Sequence, residues 1–230
     1  MKFSPQDTTT IEKLEKGLSI KIEKKEIFIK ALTHKTFAFE KGDIGSSNEL
    51  LEFLGDSVLN FYISKKLFEL FPKANEGALT RMRSSLVNTR QLSKIAKNLN
   101  LHKFLKVGSS FEGDVTLRPT VLADTLEAII GAIFVDSGLK GVSQFIEKNF
   151  EIEKAEDSID AKSKLQQITQ KKYGILPEYR VVKEEGVPHK KTFTVEVFVN
   201  GKLAGSGTGP NKKAAENSAA QQALKKYEKG

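Results

Sequence analysis

The chain has 230 residues, 39% hydrophobic and 29% charged, a length comfortable for two domains and a composition that excludes a disordered or membrane protein. It contains no cysteine, which excludes disulfides, thiolate zinc sites and cysteine nucleophiles together and makes a reducing, cytoplasmic home the expectation. Net charge is +8, yet residues 160–230 hold 14 Lys/Arg against 7 Asp/Glu while residues 1–159 hold 23 against 22, so a polyanion-binding module on a near-neutral body is expected.

Met1 to Thr10 is polar and has no apolar run, so no signal peptide is expected. No later stretch approaches the roughly 20 apolar residues that span a bilayer, and no membrane partner is expected. From Ile11 to about Phe150 apolar residues recur at three- and four-residue spacings, most clearly in Leu50–Phe71, Leu86–Leu99 and Val121–Val135. Gly42–Ser47, Pro72–Gly77, Gly108–Pro119 and Gly138–Gly141 punctuate them, and the half reads as an all-α domain, residues 1–150.

Two of these helices carry carboxylates in an unusual setting. Glu49, Glu52 and Asp56 fall at i, i+3 and i+7, on one helix face, with no cation on that helix until Lys65. Asp124 and Glu127 repeat the i, i+3 spacing and are the only charges between Arg118 and Asp136. Carboxylates on apolar helices are costly to bury unless something positive neutralises them. A hard divalent cation, magnesium or manganese before zinc, suits oxygen ligands without His or Cys. A capped or solvated feature, or ion pairs to Arg81, Arg83 or Arg90, is the plainer alternative. Metal-held carboxylates beside a polyanion-binding module suggest phosphodiester hydrolysis.

An acidic stretch, residues 151–159, reads as a linker. Beyond it the grammar changes. Ala161–Tyr173 is a predicted helix, and Tyr179–Val182, Phe193–Val199 and Lys202–Gly205 are predicted strands, the last two joined by an Asn200-Gly201 hairpin turn. Asn211 suits the N-cap of a final helix to Tyr227. The expected order for residues 160–230 is thus α-β-β-β-α, a small α+β domain. Lys212 and Lys213 open that last helix, where the dipole disfavours cations unless the end faces phosphate. Gly205–Gly209 would let the backbone approach such a phosphate. His189, Lys190 and Lys191 offer a second contact zone, and Gln166 and Gln170 present amides suited to ribose 2′-hydroxyls, which favours double-stranded RNA.

Asn48 to Leu59 resembles the signature of bacterial ribonuclease III, and Leu122 to Gly138 that family's second acidic helix. Ala161 to Tyr227 resembles a double-stranded-RNA-binding domain, including the Pro188-His189-Lys190-Lys191 loop and the Lys212-Lys213-Ala214-Ala215 helix start. The resemblance implies an all-α endonuclease domain followed by a duplex-RNA-binding domain. It implies catalytic carboxylates at Glu52, Asp56, Asp124 and Glu127, with magnesium (manganese as a substitute) held by Glu52, Asp124 and Glu127. Glu49 and Glu76 would be secondary acidic residues, and Phe53 would insert into the partner of a homodimer. Products would carry 5′-phosphate and 3′-hydroxyl ends with short 3′ overhangs. Three places depart from the family pattern: the weakly charged loop Gly108-Ser109-Ser110-Phe111-Glu112, Arg118-Pro119-Thr120, and Thr36 in place of serine.

Overall fold

The structure, a computed structural model, describes residues 4–111, 113–158, 161–187 and 191–227. It divides into two compact units, the first ending at Ala155 and the second beginning at Glu156, with the short segment Asn75–Ala78 assigned to the second.

The first unit is helical. α1 (Pro5–Leu18), α2 (Lys25–Ala31), α3 (Lys35–Glu40), α4 (Glu49–Leu70), α5 (Glu76–Val87), α6 (Thr89–Asn98) and α7 (Pro119–Asn149) are linked by loops and short 3-10 turns. Local chemistry fixes their ends. Ser4 and Asp7 form a reciprocal capping box at the start of α1, with Pro5 in the first turn. Asp136, more than a hundred residues away in sequence, accepts the backbone N–H groups of Glu23 and Lys24 just ahead of α2. Apolar periodicity alone runs Leu86–Leu99 together, but the side chain of Asn88 accepts the N–H of Gln91, capping α6 and separating it from α5.

α7 carries apolar side chains around most of its circumference, from Leu122 to Ile133, and α2, α4 and α6 pack against it. A helix of that kind must be central. Each fully buried leucine or isoleucine adds about 1.5–3 kcal/mol of hydrophobic stabilisation. Gly138, with φ of 65°, breaks the helical path and kinks α7.

The position of α4 on α7 is set by two glycines. A Cβ on Gly55 would collide with the carbonyl of Glu127, and a Cβ on Gly131 with the carbonyl of Leu51. Gly55 follows Leu51 by one turn, as Gly131 follows Glu127. The two backbones therefore meet reciprocally, closer than any side chain permits. That crossing brings the two acidic segments together.

In the second unit α8 (Ala161–Tyr173) precedes β1 (Glu178–Glu185), β2 (Thr192–Val199), β3 (Lys202–Gly209) and α9 (Lys212–Tyr227). The sheet is antiparallel in the order β1-β2-β3, with Asn200 and Gly201 both at positive φ in the hairpin. Val195, Val197 and Val199 face a core made with Leu165, Ala215, Ala219, Ala223 and Leu224. The fold is the expected α-β-β-β-α. One expectation is corrected: Gly205–Gly209 is no loop reaching toward a ligand, because β3 continues to Gly209. A Cβ at Gly205, Gly207 or Gly209 would strike the backbone of α9 at Ala219, or at Ala215 for the last. These glycines let the helix lie directly on the strand.

Candidate functional site

Where α4 crosses α7, Glu52, Asp124 and Glu127 offer carboxylate oxygens that all lie within 4.8 Å of one another. All three are half-buried. Glu127 feels the strongest effect. Burial, followed by the charges of Asp56, Asp124 and Glu52, pushes its carboxyl up to about 8. Burial also raises Glu52, with Asp124 and Glu49 adding to the effect, and burial raises Asp124. Asp56 is exposed, and its Oδ1 accepts a 2.7 Å hydrogen bond from the amide of Asn60 one turn on. It stands beside the trio electrostatically, since its charge acts on both Glu127 and Glu52.

The same three residues pass a test of fit for a divalent ion. Octahedral oxygen ligands at about 2.1 Å from magnesium stand roughly 3–4 Å apart, and the three oxygens lie within 4.8 Å of one another. The donors are all hard oxygens, and the ion's charge would relieve the cost of burying carboxylates beside one another. Among the described residues no ion pair joins Glu52, Asp124 or Glu127 to Arg81, Arg83 or Arg90; Arg83 instead donates to Ser64 Oγ at 3.0 Å.

Glu49 separates from the trio. Its Oε1 lies 3.5 Å from Lys35 Nζ and its Oε2 accepts from Ser47 Oγ at 3.3 Å. Glu76 is exposed in the first turn of α5. Phe53 is 75% exposed, on the same α4 surface as Leu50, Phe61 and Phe68. In the second unit Gln166 and Gln170 are exposed on α8, and Lys212 and Lys213 are exposed at the start of α9. Asn211 caps that helix, its Oδ1 accepting the N–H of Ala214 at 2.9 Å. His189 lies outside the described residues, together with Pro188 and Lys190.

Sequence reasoning passed over Lys35 and Asn60, which reach the acidic centre through tertiary structure or a modest i, i+4 bond. It also passed over Gly55 and Gly131, whose signal was visible as glycine inside two otherwise apolar helices. The loop that departs from the family pattern is docked by ring contacts and a hydrogen bond: Phe111 packs edge-on against His34, the Arg118 guanidinium lies over the Phe111 ring, and Glu40 Oε2 accepts the N–H of Ser109 at 2.6 Å. Thr36 Oγ1 accepts the N–H of Gly108 at 3.1 Å, so threonine serves at that position.

Residues 24–152 match a family model described as Ribonuclease-III-like, and residues 161–227 match the Double-stranded RNA binding motif. Relatives named Ribonuclease 3 are similar over nearly the whole length. That of Clostridium kluyveri is 43% identical over 222 residues, covering 94% of this chain and 90% of its own. That of Carboxydothermus hydrogenoformans is 39% identical over 225 residues, covering 95% and 96%. A solved nuclease domain of ribonuclease III from Campylobacter jejuni, 42% identical, covers 60% of this chain and 97% of its own with a TM-score of 0.55. Two glycine-locked acidic helices followed by an α-β-β-β-α domain, both halves matched in this order, make this chain a member of the ribonuclease III family: an endoribonuclease carrying a double-stranded-RNA-binding domain.

Proposed function

We propose that the chain cleaves double-stranded RNA by magnesium-dependent phosphodiester hydrolysis, with manganese as a substitute ion. It leaves 5′-phosphate and 3′-hydroxyl ends with short 3′ overhangs, works as a homodimer, and serves rRNA and mRNA processing in the cytoplasm. Residues 1–150 form the catalytic and dimerisation domain, 151–159 the linker and 160–230 the RNA-binding domain. The observation that carries the reading is the convergence of Glu52, Asp124 and Glu127 oxygens within 4.8 Å.

These three carboxylates would hold the ion, which when bound would lower the pKa of a water and offset charge developing on the phosphate. Glu127, its carboxyl held high by burial, would have to release its proton to solvent to join the ligand set. Asp56, braced by Asn60, keeps a carboxylate oxygen at the edge of the same centre. The crossing at Gly55 and Gly131 keeps these groups from drifting apart. Glu49 and Glu76 act as secondary acidic residues. In the second domain Lys212 and Lys213 hold phosphate, Gln166 and Gln170 meet ribose hydroxyls, and His189 adds a further contact. Recognition of this kind follows A-form shape more than base sequence. Phe53, exposed beside Leu50 and Phe61, supports a self-association face, and the Campylobacter jejuni nuclease domain has a region involved in dimer formation.

The test is cleavage of an end-labelled RNA duplex with magnesium, with EDTA, and by Glu127→Gln. The wild type cuts only with the ion. The variant loses more than the roughly 10- to 100-fold typical of residues that merely support a metal ligand, while still shifting the duplex on a gel. A wild type that binds but never cuts would make the chain a catalytically silent double-stranded-RNA-binding dimer.

A further inference from the structure

The acidic centre has a cation of its own. Lys35 comes from α3, outside both acidic helices, and its Nζ lies 3.5 Å from Glu49 Oε1. Glu49 sits one turn ahead of Glu52 on α4, so the ion pair lies next along that helix to the first member of the carboxylate trio. The positive charge of Lys35 acts on both Glu52 and Asp124, opposing the burial that pushes them up.

The backbone carrying Lys35 is firmly held while its side chain is not. His34 Nδ1 accepts the N–H of Thr36 and caps α3, and the His34 N–H donates to the Lys106 carbonyl at 2.9 Å. Thr36 Oγ1 takes the Gly108 N–H on the other side. The Lys35 side chain, by contrast, is 64% exposed, a charged head on a flexible stem.

We propose that Lys35 is the resident counter-cation of the acidic centre, a positioning residue that restrains Glu49 and, by its charge, sets how tightly the divalent ion binds at Glu52, Asp124 and Glu127. The inference rests on the metal-binding reading given above. Its physical content is competition. A single positive charge beside the carboxylates offsets part of their mutual repulsion before the ion arrives, and repels the doubly charged ion once it does. Affinity is thereby held below what the carboxylates alone would give, a setting that permits exchange of the ion. If Lys35 were only a surface partner of Glu49, its removal would leave ion binding unchanged, as for most exposed pairs.

The experiment is titration of the full-length chain with manganese, followed calorimetrically and by the loss of free-ion electron paramagnetic resonance signal, without RNA. Lys35→Gln and Lys35→Met are expected to bind manganese about three- to tenfold more tightly than the wild type, the scale of partly screened repulsion near a protein surface. Lys35→Arg, which keeps the charge, stays within about twofold. The gap between Lys35→Gln and wild type narrows in 0.5 M salt, where screening shortens the reach of an exposed charge. Because the side chain is exposed, unfolding temperatures should stay near wild type. Unchanged or weaker manganese binding in both folded neutral variants overturns the proposal while leaving the metal site standing. A wild type that binds no manganese overturns the metal site and this inference with it.

Discussion

Glu127 carries the sharpest consequence at the scale of single residues. With burial and three neighbouring carboxylates raising its carboxyl to about 8, it is largely protonated at neutral pH until an ion displaces that proton. Metal binding near pH 7 should therefore release about one proton per site, and affinity should rise with pH until Glu127 ionises on its own. Calorimetry in buffers of different ionisation heat measures this directly; binding with no proton uptake by the buffer would contradict it. The same shift has a stability consequence whose sign is fixed. A carboxyl raised on folding contributes fully below its unfolded value near 4.5, and that contribution drains away as pH climbs toward 8. In EDTA, thermal unfolding should thus occur at lower temperature at pH 8 than at pH 5.5. Glu127→Gln should flatten that dependence and gain about a few degrees at the upper end. A wild-type profile as flat as the variant's would mean the carboxyl is not held in this environment. The i, i+3 spacing of the acids was legible in the sequence. The magnitude of their mutual effect was not, because it depends on acidic residues over sixty positions apart being brought together where two helices cross.

At the scale of elements, the crossing of α4 and α7 is the feature on which the site depends. Gly55→Ala inserts a methyl group where the Glu127 carbonyl lies, and backbone cannot move aside as a flexible side chain can. Overpacking usually costs about 1–3 kcal/mol, and this position should lie at or above the upper end. The variant should unfold at lower temperature and lose manganese binding, though no carboxylate has been touched. Retained metal affinity with a normal unfolding temperature would show that the crossing is looser than described. The helical and strand elements themselves were legible from period and caps: Asn211 caps α9 as expected, and Asn200-Gly201 turns the hairpin. The glycines were legible as glycines but misread in role. Hydrophobic patterning cannot see a strand whose inward positions are Gly205, Gly207 and Gly209, since nothing apolar alternates there. Their period of two was the available signal, and alanines at Ala215, Ala219 and Ala223 spaced by four on α9 are its complement.

At the scale of the whole molecule, the two units differ in charge. The excess positive charge of residues 160–230 belongs to the second unit, so RNA affinity and metal affinity should be separable. Lys212→Ala with Lys213→Ala should weaken duplex binding and reduce the slope of log affinity against log salt by about 1–2, the signature of lost phosphate contacts, with manganese affinity unchanged. Equal loss at all salt concentrations would place these lysines off the phosphate path. α4 carries large exposed apolar side chains. Leu50, Phe53, Phe61 and Phe68 are 69%, 75%, 56% and 72% exposed. Leu50 and Phe68, eighteen residues apart, are separated by five full turns, so these side chains form one stripe along the helix. Such a stripe costs little to expose one residue at a time but much as a continuous patch, which is how interaction faces announce themselves. Because Phe53 buries little within its own chain, Phe53→Glu should leave the unfolding of an isolated protomer near wild type. It should nonetheless shift sedimentation at micromolar concentration from dimer toward monomer, and cleavage of a duplex should fall with it. A variant that sediments as a dimer like the wild type would remove Phe53 from the interface and leave the stripe to some other partner.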